Sequence, residues 1–334
     1  MTGAATWRDP AWLDPALAWA RERLARLGRT VTDPPEQVHV RAWSTAVRIP
    51  TDGGVVWLKS VGAGSAQEPP LAAALGGWAP GRVLVPLAVD AGRRLLLLPD
   101  GGTTLRASGR GGDLGAWEAL LADHARLQVE VAAHADEMVA LDVPDLRPER
   151  LPDLAAALLA DDGALLTGTP DGLDPALRDR LRTGADAYAG LCRALAAGPV
   201  PASVQHDDLH DGNVFVTGDG FRFFDWGDAS VAHPFLTLLV PLRGAAAALD
   251  LPPGSPVLLR LRDAYLGPWR QFAEAAVLRE LAGLALLVGP LARALTWHRI
   301  LRAVHPEEAA PWQASVPGWV AESVAPGPLD GAAA

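Results

Sequence analysis

Apolar residues at Leu13, Leu17, Ala20, Leu24 and Leu27 recur at spacings of three and four. This predicts an amphipathic helix opened by Asp14-Pro15 and closed by Gly28. The pattern then shortens. "QVHVRAW", "TAVRIP" and "GVVWLKSV" read as strands, the last two joined by a Thr51-Asp52-Gly53-Gly54 turn. Glu68-Pro69-Pro70 starts a second helix through "LAAALGGW", since proline suits a first helical turn. "GRVLVPLAVD" and "RRLLLLPD" read as two more strands around Ala91-Gly92. The first hundred residues are thus expected to form a small sheet with one or two helices, and Asp100 to Thr104 a hinge.

From Asp113 onward the helical period dominates. Leu114, Trp117, Leu120, Leu121, His124 and Leu127 share one face. Asp174-Pro175 opens a single helix carrying Leu177, Leu181, Tyr188, Leu191 and Leu195, stopped at Gly198-Pro199. One stretch interrupts the helices: "NVFVTGDGFRFFDW" alternates around Thr217-Gly218-Asp219-Gly220, a hairpin signature. The closing "APGPLDGAAA" is expected to be disordered.

Composition narrows the function. Apolar residues make up 49% of 334, enough for a sizeable core. With 39 acids against 29 bases the formal charge is -10, which argues against nucleic acid as partner. The single cysteine, Cys192, suits a reducing compartment. No signal peptide is read at the start, and the apolar run Leu281–Ala292, bounded by Glu280 and Arg293, is read as too short to span a bilayer. A cytoplasmic protein without a membrane partner is expected; oligomeric state stays open. Lys59 is the sole lysine, every other member of the Lys and Arg set being arginine. A chain that uses arginine for generic charge points to a specific need for a compact ammonium there.

The segment "QHDDLHDGNVFVTGDGFRFFDWGDA" concentrates six aspartates, two histidines and an asparagine. A hairpin over 214–223 places Asn213 and Asp225 together at its open end, with Asp208 on the loop feeding it. Two carboxylates and an amide oxygen suit a hard cation such as magnesium with a bound phosphate.

His206-Asp207-Asp208, four residues, Asn213, then Asp225-Trp226-Gly227 repeats the protein-kinase spacing H-R-D, four residues, N, then D-F-G. With His210 and the tryptophan, "HDDLHDGN" and "FDWGDA" resemble the aminoglycoside phosphotransferase and choline kinase-like superfamily. The resemblance implies an α+β, two-lobed protein-kinase-like fold, with a small antiparallel lobe (1–100) and a larger helical lobe (101–334). It implies ATP or GTP and Mg2+, and phosphoryl transfer to a hydroxyl of a small molecule. On that basis Asp208 is the catalytic base and His206 a brace of its loop. Asn213 and Asp225 are metal ligands, Lys59 holds the nucleotide phosphates, and Glu68 is its ion-pair partner.

Two positions depart from the superfamily. Asp207 stands where glycine is usual, and is expected either to raise the pKa of Asp208 or to point to solvent. No glycine-rich loop is present; "RAWSTAVRI" replaces it, with Ser44 and Thr45 at its turn. For the acceptor, Asp207, Asp211 and Asp228, joined by Glu274 and Glu280, suggest an acidic wall. That favours an amino-bearing polyol such as an aminoglycoside or amino sugar over a neutral sugar, a choline-like amine or homoserine. Asp228 is alternatively a helix cap, and Trp297 with His298 is either a pocket wall or packing. His124, His134 and His305 read as core or surface histidines. A metal-dependent phosphohydrolase, suggested by the His206-Asp207 "HD" pair, needs its ligands on helices whereas this pair feeds a hairpin, and a non-catalytic kinase-like module usually lacks one of the residues present here.

Overall fold

Two Asp-Pro pairs compete for the first long helix, and the earlier one starts it. In the computed structural model, which describes residues 3–252 and 254–331, Asp9 accepts a hydrogen bond from the Ala11 amide at 2.9 Å, and Pro10 occupies the first turn. After a short α1 (Ala4–Arg8), helix α2 therefore runs Pro10–Arg26, a turn earlier than expected. Its buried face is Ala16, Trp19, Ala20 and Leu24, while Leu27 stays exposed.

Strands β1 (Glu36–Val40), β2 (Ser44–Thr51), β3 (Gly54–Val61), β4 (Ala88–Asp90) and β5 (Leu95–Pro99) form an antiparallel sheet in the order β1-β2-β3-β5-β4. One face, with Val47, Ile49, Val56, Leu58, Leu95 and Leu97, packs on α2. Helix α3 (Glu68–Trp78) follows β3 with Pro69 and Pro70 in its first turn. The run "GRVLVPLAVD" is not one strand. Its first half leaves the sheet, Leu84 N–H donating to Phe223 O and Phe223 N–H to Arg82 O. Only its last residues form β4.

The predicted hairpin is present as β8 (Val214–Thr217) and β9 (Gly220–Phe223), with Val214 opposite Phe223. It is flanked on both sides. Residues 82–84 line β9, and residues 103–105 line β8, through Val216 N–H to Thr103 O and Leu105 N–H to Val214 O. The chain expected to hinge at 100–104 is thus tied to the hairpin. At Gly101 an added Cβ would lie 2.2 Å from the Phe215 ring, so the backbone there requires glycine.

Helix α4 (Leu114–Val131), capped by Asp113, lies at the centre of the largest core cluster. Around it stand α5 (Ala135–Ala140), α6 (Leu151–Ala160), α9 (Leu239–Ala248), α10 (Pro256–Leu266) and α11 (Ala275–Leu301), with a small sheet β6 (Asp145–Leu146), β10 (Ser230–Ala232), β7 (Ser203–Gln205). The single helix expected after Asp174 breaks at Gly184 into α7 (Pro175–Thr183) and α8 (Ala185–Ala196). Short α12 (Pro306–Ala309) and α13 (Ser315–Glu322) close the chain. Of the expected disordered tail, Leu329 lies against the core and Gly327 N–H donates to Asp330, while Ala325, Pro326, Asp330 and Gly331 are exposed. Residues 332–334 lie outside the described residues.

The apolar run 281–292 belongs to a 27-residue helix, longer than expected, that is long enough to cross a bilayer and holds an 18-residue window with a mean hydropathy of 1.7. Yet 56% of its apolar window is buried inside the protein. Its buried stripe passes through Ala282, Leu286, Gly289, Arg293, Thr296 and Ile300.

Candidate active site

Three backbone segments converge between the five-stranded sheet and the helical region. The loop 206–213 enters the hairpin, the turn 225–228 leaves it, and β3 with α3 faces both. His206 is fully buried and donates its Nε2–H to the Phe224 carbonyl at 2.9 Å, joining the incoming loop to the outgoing one. Burial holds its pKa down, so the ring is neutral. Asn213 donates to the Asp208 carbonyl at 3.0 Å and to its Oδ2 at 3.3 Å.

Lys59 sits between two carboxylates, with Nζ 2.5 Å from Glu68 Oε1 and 2.6 Å from Asp225 Oδ1. Its pKa is raised: burial opposes the charge, but Asp225 and Glu68 outweigh that. Glu68 is pushed up to about 7 by burial, against the pull of Lys59. Its Oε1 also accepts the Trp226 amide, and Gln67 donates to the Gly227 carbonyl at 2.8 Å. The first turn of α3 therefore holds the turn after Asp225, which carries Asp225 at a left-handed φ of 68°.

A second buried cation organises the other carboxylates. Arg293, on the buried stripe of α11, lies 2.6 Å from Asp228 Oδ2, 3.0 Å from Asp208 Oδ1 and 3.4 Å from Asp207 Oδ2. Asp208 is raised by burial, but the His210 imidazole facing it at 3.6 Å and the Arg293 charge more than reverse this. Asp228 goes the other way, up to about 6, because burial exceeds the pull of Arg293 and Asp208 and Asp207 add repulsion. Asp207 thus does not face solvent, and Asp208 beside it lies below its ordinary value, where the departure from glycine was expected either to raise Asp208 or to point outward. Asp207 is 5% exposed, accepts from Gln205 Nε2 at 3.0 Å, and faces Arg293. Its φ of 63° explains why glycine is usual there, aspartate being among the few side chains that tolerate the left-handed region.

The sequence model of the phosphotransferase enzyme family (APH) matches residues 23–275, most of the chain. The chain belongs to the phosphotransferase enzyme family. No curated protein sequence matches it. Among solved structures it is similar to a macrolide 2'-phosphotransferase type I (15% identity, 90% of this chain and 96% of that one, TM-score 0.56). It is also similar to an ethanolamine kinase from Plasmodium vivax (13%, 86% and 81%, TM-score 0.57). A third is an amicoumacin kinase solved with AMP-PNP, Ca2+ and Ami (14%, 94% and 94%, TM-score 0.53). At these identities the likeness is one of fold: α+β, two-lobed and protein-kinase-like.

In this phosphotransferase-family chain the remaining sequence candidates scatter. The turn between β1 and β2 is Arg41 to Ser44, closed by Arg41 N–H to Ser44 O, so Ser44 and Thr45 open β2 instead of sitting at its tip, and from there both line the cavity beside Lys59. The Thr45 hydroxyl is committed inside the sheet, donating to the His39 carbonyl and accepting from Gln37, each at 2.8 Å. Asp211 pairs with Arg106 at 2.6 Å. Asp228 caps no helix; the turn at Pro234–Leu238 is capped by His233, whose Nδ1 accepts the Phe235 amide. Trp297 and His298, adjacent on α11, diverge. Trp297 meets Arg293, Trp43 and Trp312, whereas His298 faces Asp161 at 3.4 Å. Glu274 and Glu280 are exposed, and Glu280 lies more than three helical turns, about 20 Å, before Arg293. His124 is buried beside Phe223, His134 stacks on Trp78, and His305 is exposed.

Sequence reasoning missed Arg293 and Arg299. The Arg299 guanidinium is bonded to the carbonyls of Gly64, Gly227 and Asp228, strapping the 225–228 turn to the loop before α3. The signal was available, since both arginines fall inside a helix whose period makes it a core element, and a buried charge needs partners.

Proposed function

We propose that this protein is a magnesium-dependent small-molecule kinase. It moves the γ-phosphoryl group of ATP, or GTP, to an acceptor hydroxyl. The observation that carries this reading is the shared Lys59, paired at once to Glu68 and to Asp225, the latter on a turn that His206 ties to the loop bearing Asp208 and Asn213. A cavity of about 270 Å³ opens beside it, lined by Ala46, Trp57, Leu84, Leu98, Phe215 and Phe224 and ending at Lys59 and Asp225. Its apolar walls suit a nucleobase, and its charged end suits phosphates. Residues 1–100 would then supply the nucleotide lobe, and 101–334 the catalytic lobe.

The donors fit a divalent cation. The Asn213 amide nitrogen is spent on Asp208, which leaves its oxygen uncommitted. Asp225 uses Oδ1 for Lys59, and its side chain keeps 45% exposure toward the cleft. Magnesium held there would neutralise charge on the phosphates. Lys59 would position the α- and β-phosphates, and Glu68 would hold Lys59. Asp208 would orient the acceptor hydroxyl and receive its proton as the acceptor O–P bond forms and the bond to the leaving nucleoside diphosphate breaks.

The acceptor would lie in a cleft of about 630 Å³ that includes Asp208, Asp211, His210, Arg106, Arg243 and Arg293. This lining weakens the case for an acidic wall. Arg293 occupies Asp207, Asp208 and Asp228, Arg106 occupies Asp211, and Arg243 is paired with Glu322. The pairing favours a neutral polyhydroxyl acceptor over an amino-rich one. The base is tested by Asp208→Asn, which should leave nucleotide affinity near normal and cut turnover at least about a hundredfold; near-normal turnover defeats the assignment. The acceptor is tested by ATP consumption with neutral sugars, aminoglycosides, amino sugars, choline, ethanolamine and homoserine at low and high salt. Strongly salt-sensitive turnover confined to the amines would restore the acidic-wall reading.

A further inference from the structure

We infer that Arg293 is a positioning residue for the Asp208 carboxylate, and that Asp207 and Arg293 work as a matched pair in that role. This rests on Asp208 being the catalytic base.

The geometry is specific. One guanidinium reaches three carboxylates on two segments: Asp228 on the turn after the hairpin, and Asp207 and Asp208 on the loop before it. The Arg293 side chain is 5% exposed, so it is not a surface charge that met acids by chance. Asp208 is thereby held at both oxygens. Arg293 grips Oδ1 at 3.0 Å, while Oδ2 faces Asn213 at 3.3 Å and His210 Nε2 at 3.6 Å. His210 is itself aimed, its Nδ1 accepting the Gly212 amide, which leaves the proton on Nε2 toward Asp208. A planar fork suits this task, because it can bridge several oxygens without changing rotamer.

Asp207 completes the arrangement. Its backbone takes the left-handed conformation that a glycine would hold without strain. The side chain therefore brings a local cost, which its contacts with Arg293 and Gln205 offset. Arg293 in turn is fixed from behind, 5.6 Å over the Trp297 ring. The base is thus steered from a helix far along the chain, not only from its own loop.

The test uses magnesium-dependent ATP hydrolysis with water as acceptor, so that no acceptor need be identified. Wild type, Arg293→Lys, Arg293→Met, Asp207→Gly, Asp207→Gly/Arg293→Lys and Asp208→Asn are compared for kcat, nucleotide KM and thermal unfolding. Arg293→Lys keeps the charge but cannot span three carboxylates, and should lower kcat about tenfold with nucleotide KM within twofold. Arg293→Met should lose about a hundredfold or more, so that lysine gives partial rescue. The Arg293→Lys loss should shrink at least threefold in the Asp207→Gly background. Should Arg293→Met fail to fold, Arg293→Lys and its double variant still decide the matter. Wild-type kcat in Arg293→Lys, a loss carried wholly by nucleotide KM, or independent effects at 207 and 293 would each overturn the inference. If Asp208→Asn retains full hydrolysis, the underlying assignment of the base falls, and this inference with it. If Asp208→Asn is inactive while Arg293→Lys is unimpaired, the inference falls alone.

Discussion

Two cations, one largely and one almost fully buried, organise the carboxylates around the hairpin, and they are built differently. Lys59 lies on a strand nine residues from Glu68, and its second partner, Asp225, remains 45% exposed. Arg293 lies on the last long helix and serves three carboxylates, with only 5% of its own side chain exposed. A compact ammonium beside an open carboxylate leaves coordination free for something that arrives. A planar fork enclosed by acids has both its terminal nitrogens engaged already. The first cluster has the form of a binding site, and the second that of a fixed frame.

The largest effects should fall on the open cluster when its cleft-facing groups are removed. Asp225→Ala should reduce magnesium-dependent turnover by about a hundred- to a thousandfold, the scale of a lost electrostatic contact at a reacting centre. Asn213→Ala should cost less, since it removes a neutral donor oxygen. Nucleotide affinity titrated with and without magnesium separates the two; equal losses in metal-free buffer would place neither at a metal.

Stability should rank the clusters in reverse. Arg293→Met strands buried carboxylates and should destabilise by about 3–5 kcal/mol. Lys59→Met should cost about 1–3 kcal/mol, because Asp225 can turn to water and Glu68, already at about 7, readily takes up a proton. Urea unfolding of the two variants without nucleotide checks the order, and a larger loss at Lys59 would break the contrast.

Lys59→Arg probes the compact ammonium itself. It should fold normally yet lose about tenfold in kcat/KM for nucleotide, since a bidentate fork does not reproduce a point charge. Full activity would return the sole lysine to coincidence.

The smallest effect is a pH slope. Asp228 faces Arg293 and Arg299 from α11 and Asp207 and Asp208 from the loop, and is held up at about 6 against an ordinary 3.8. The folded chain therefore keeps this proton longer than the unfolded chain does. Its contribution to stability is fully present below about pH 4, falls as pH rises toward 6, and is flat above that. Asp228→Asn should remove that part of the decline, as followed by denaturant midpoints from pH 4 to 7. An unchanged slope would show that Asp228 titrates normally.

The hairpin and its flanking motifs were legible because they are local. Thr217 to Gly220 can turn only tightly, and alternation on either side sets the register that brings Asn213 opposite Phe224, the residue before Asp225. The sole lysine and the Glu-Pro-Pro helix start were legible for the same reason: their meaning lies in composition and in a few neighbouring residues. Other features required distant parts of the chain to meet. Nothing within ten residues of Asp207 shows that a helix beginning at Ala275 will deliver a guanidinium to it. The acidic wall therefore looked open in the sequence and is paired in the fold. Likewise, "GRVLVPLAVD" has the periodicity of one strand, but half of it is drawn off to the hairpin, whose backbone groups need partners. Local pattern determined the elements and the order of the chemical groups along the chain. Tertiary packing decided which charges neutralise one another, because a buried charge takes whatever partner the fold brings within reach.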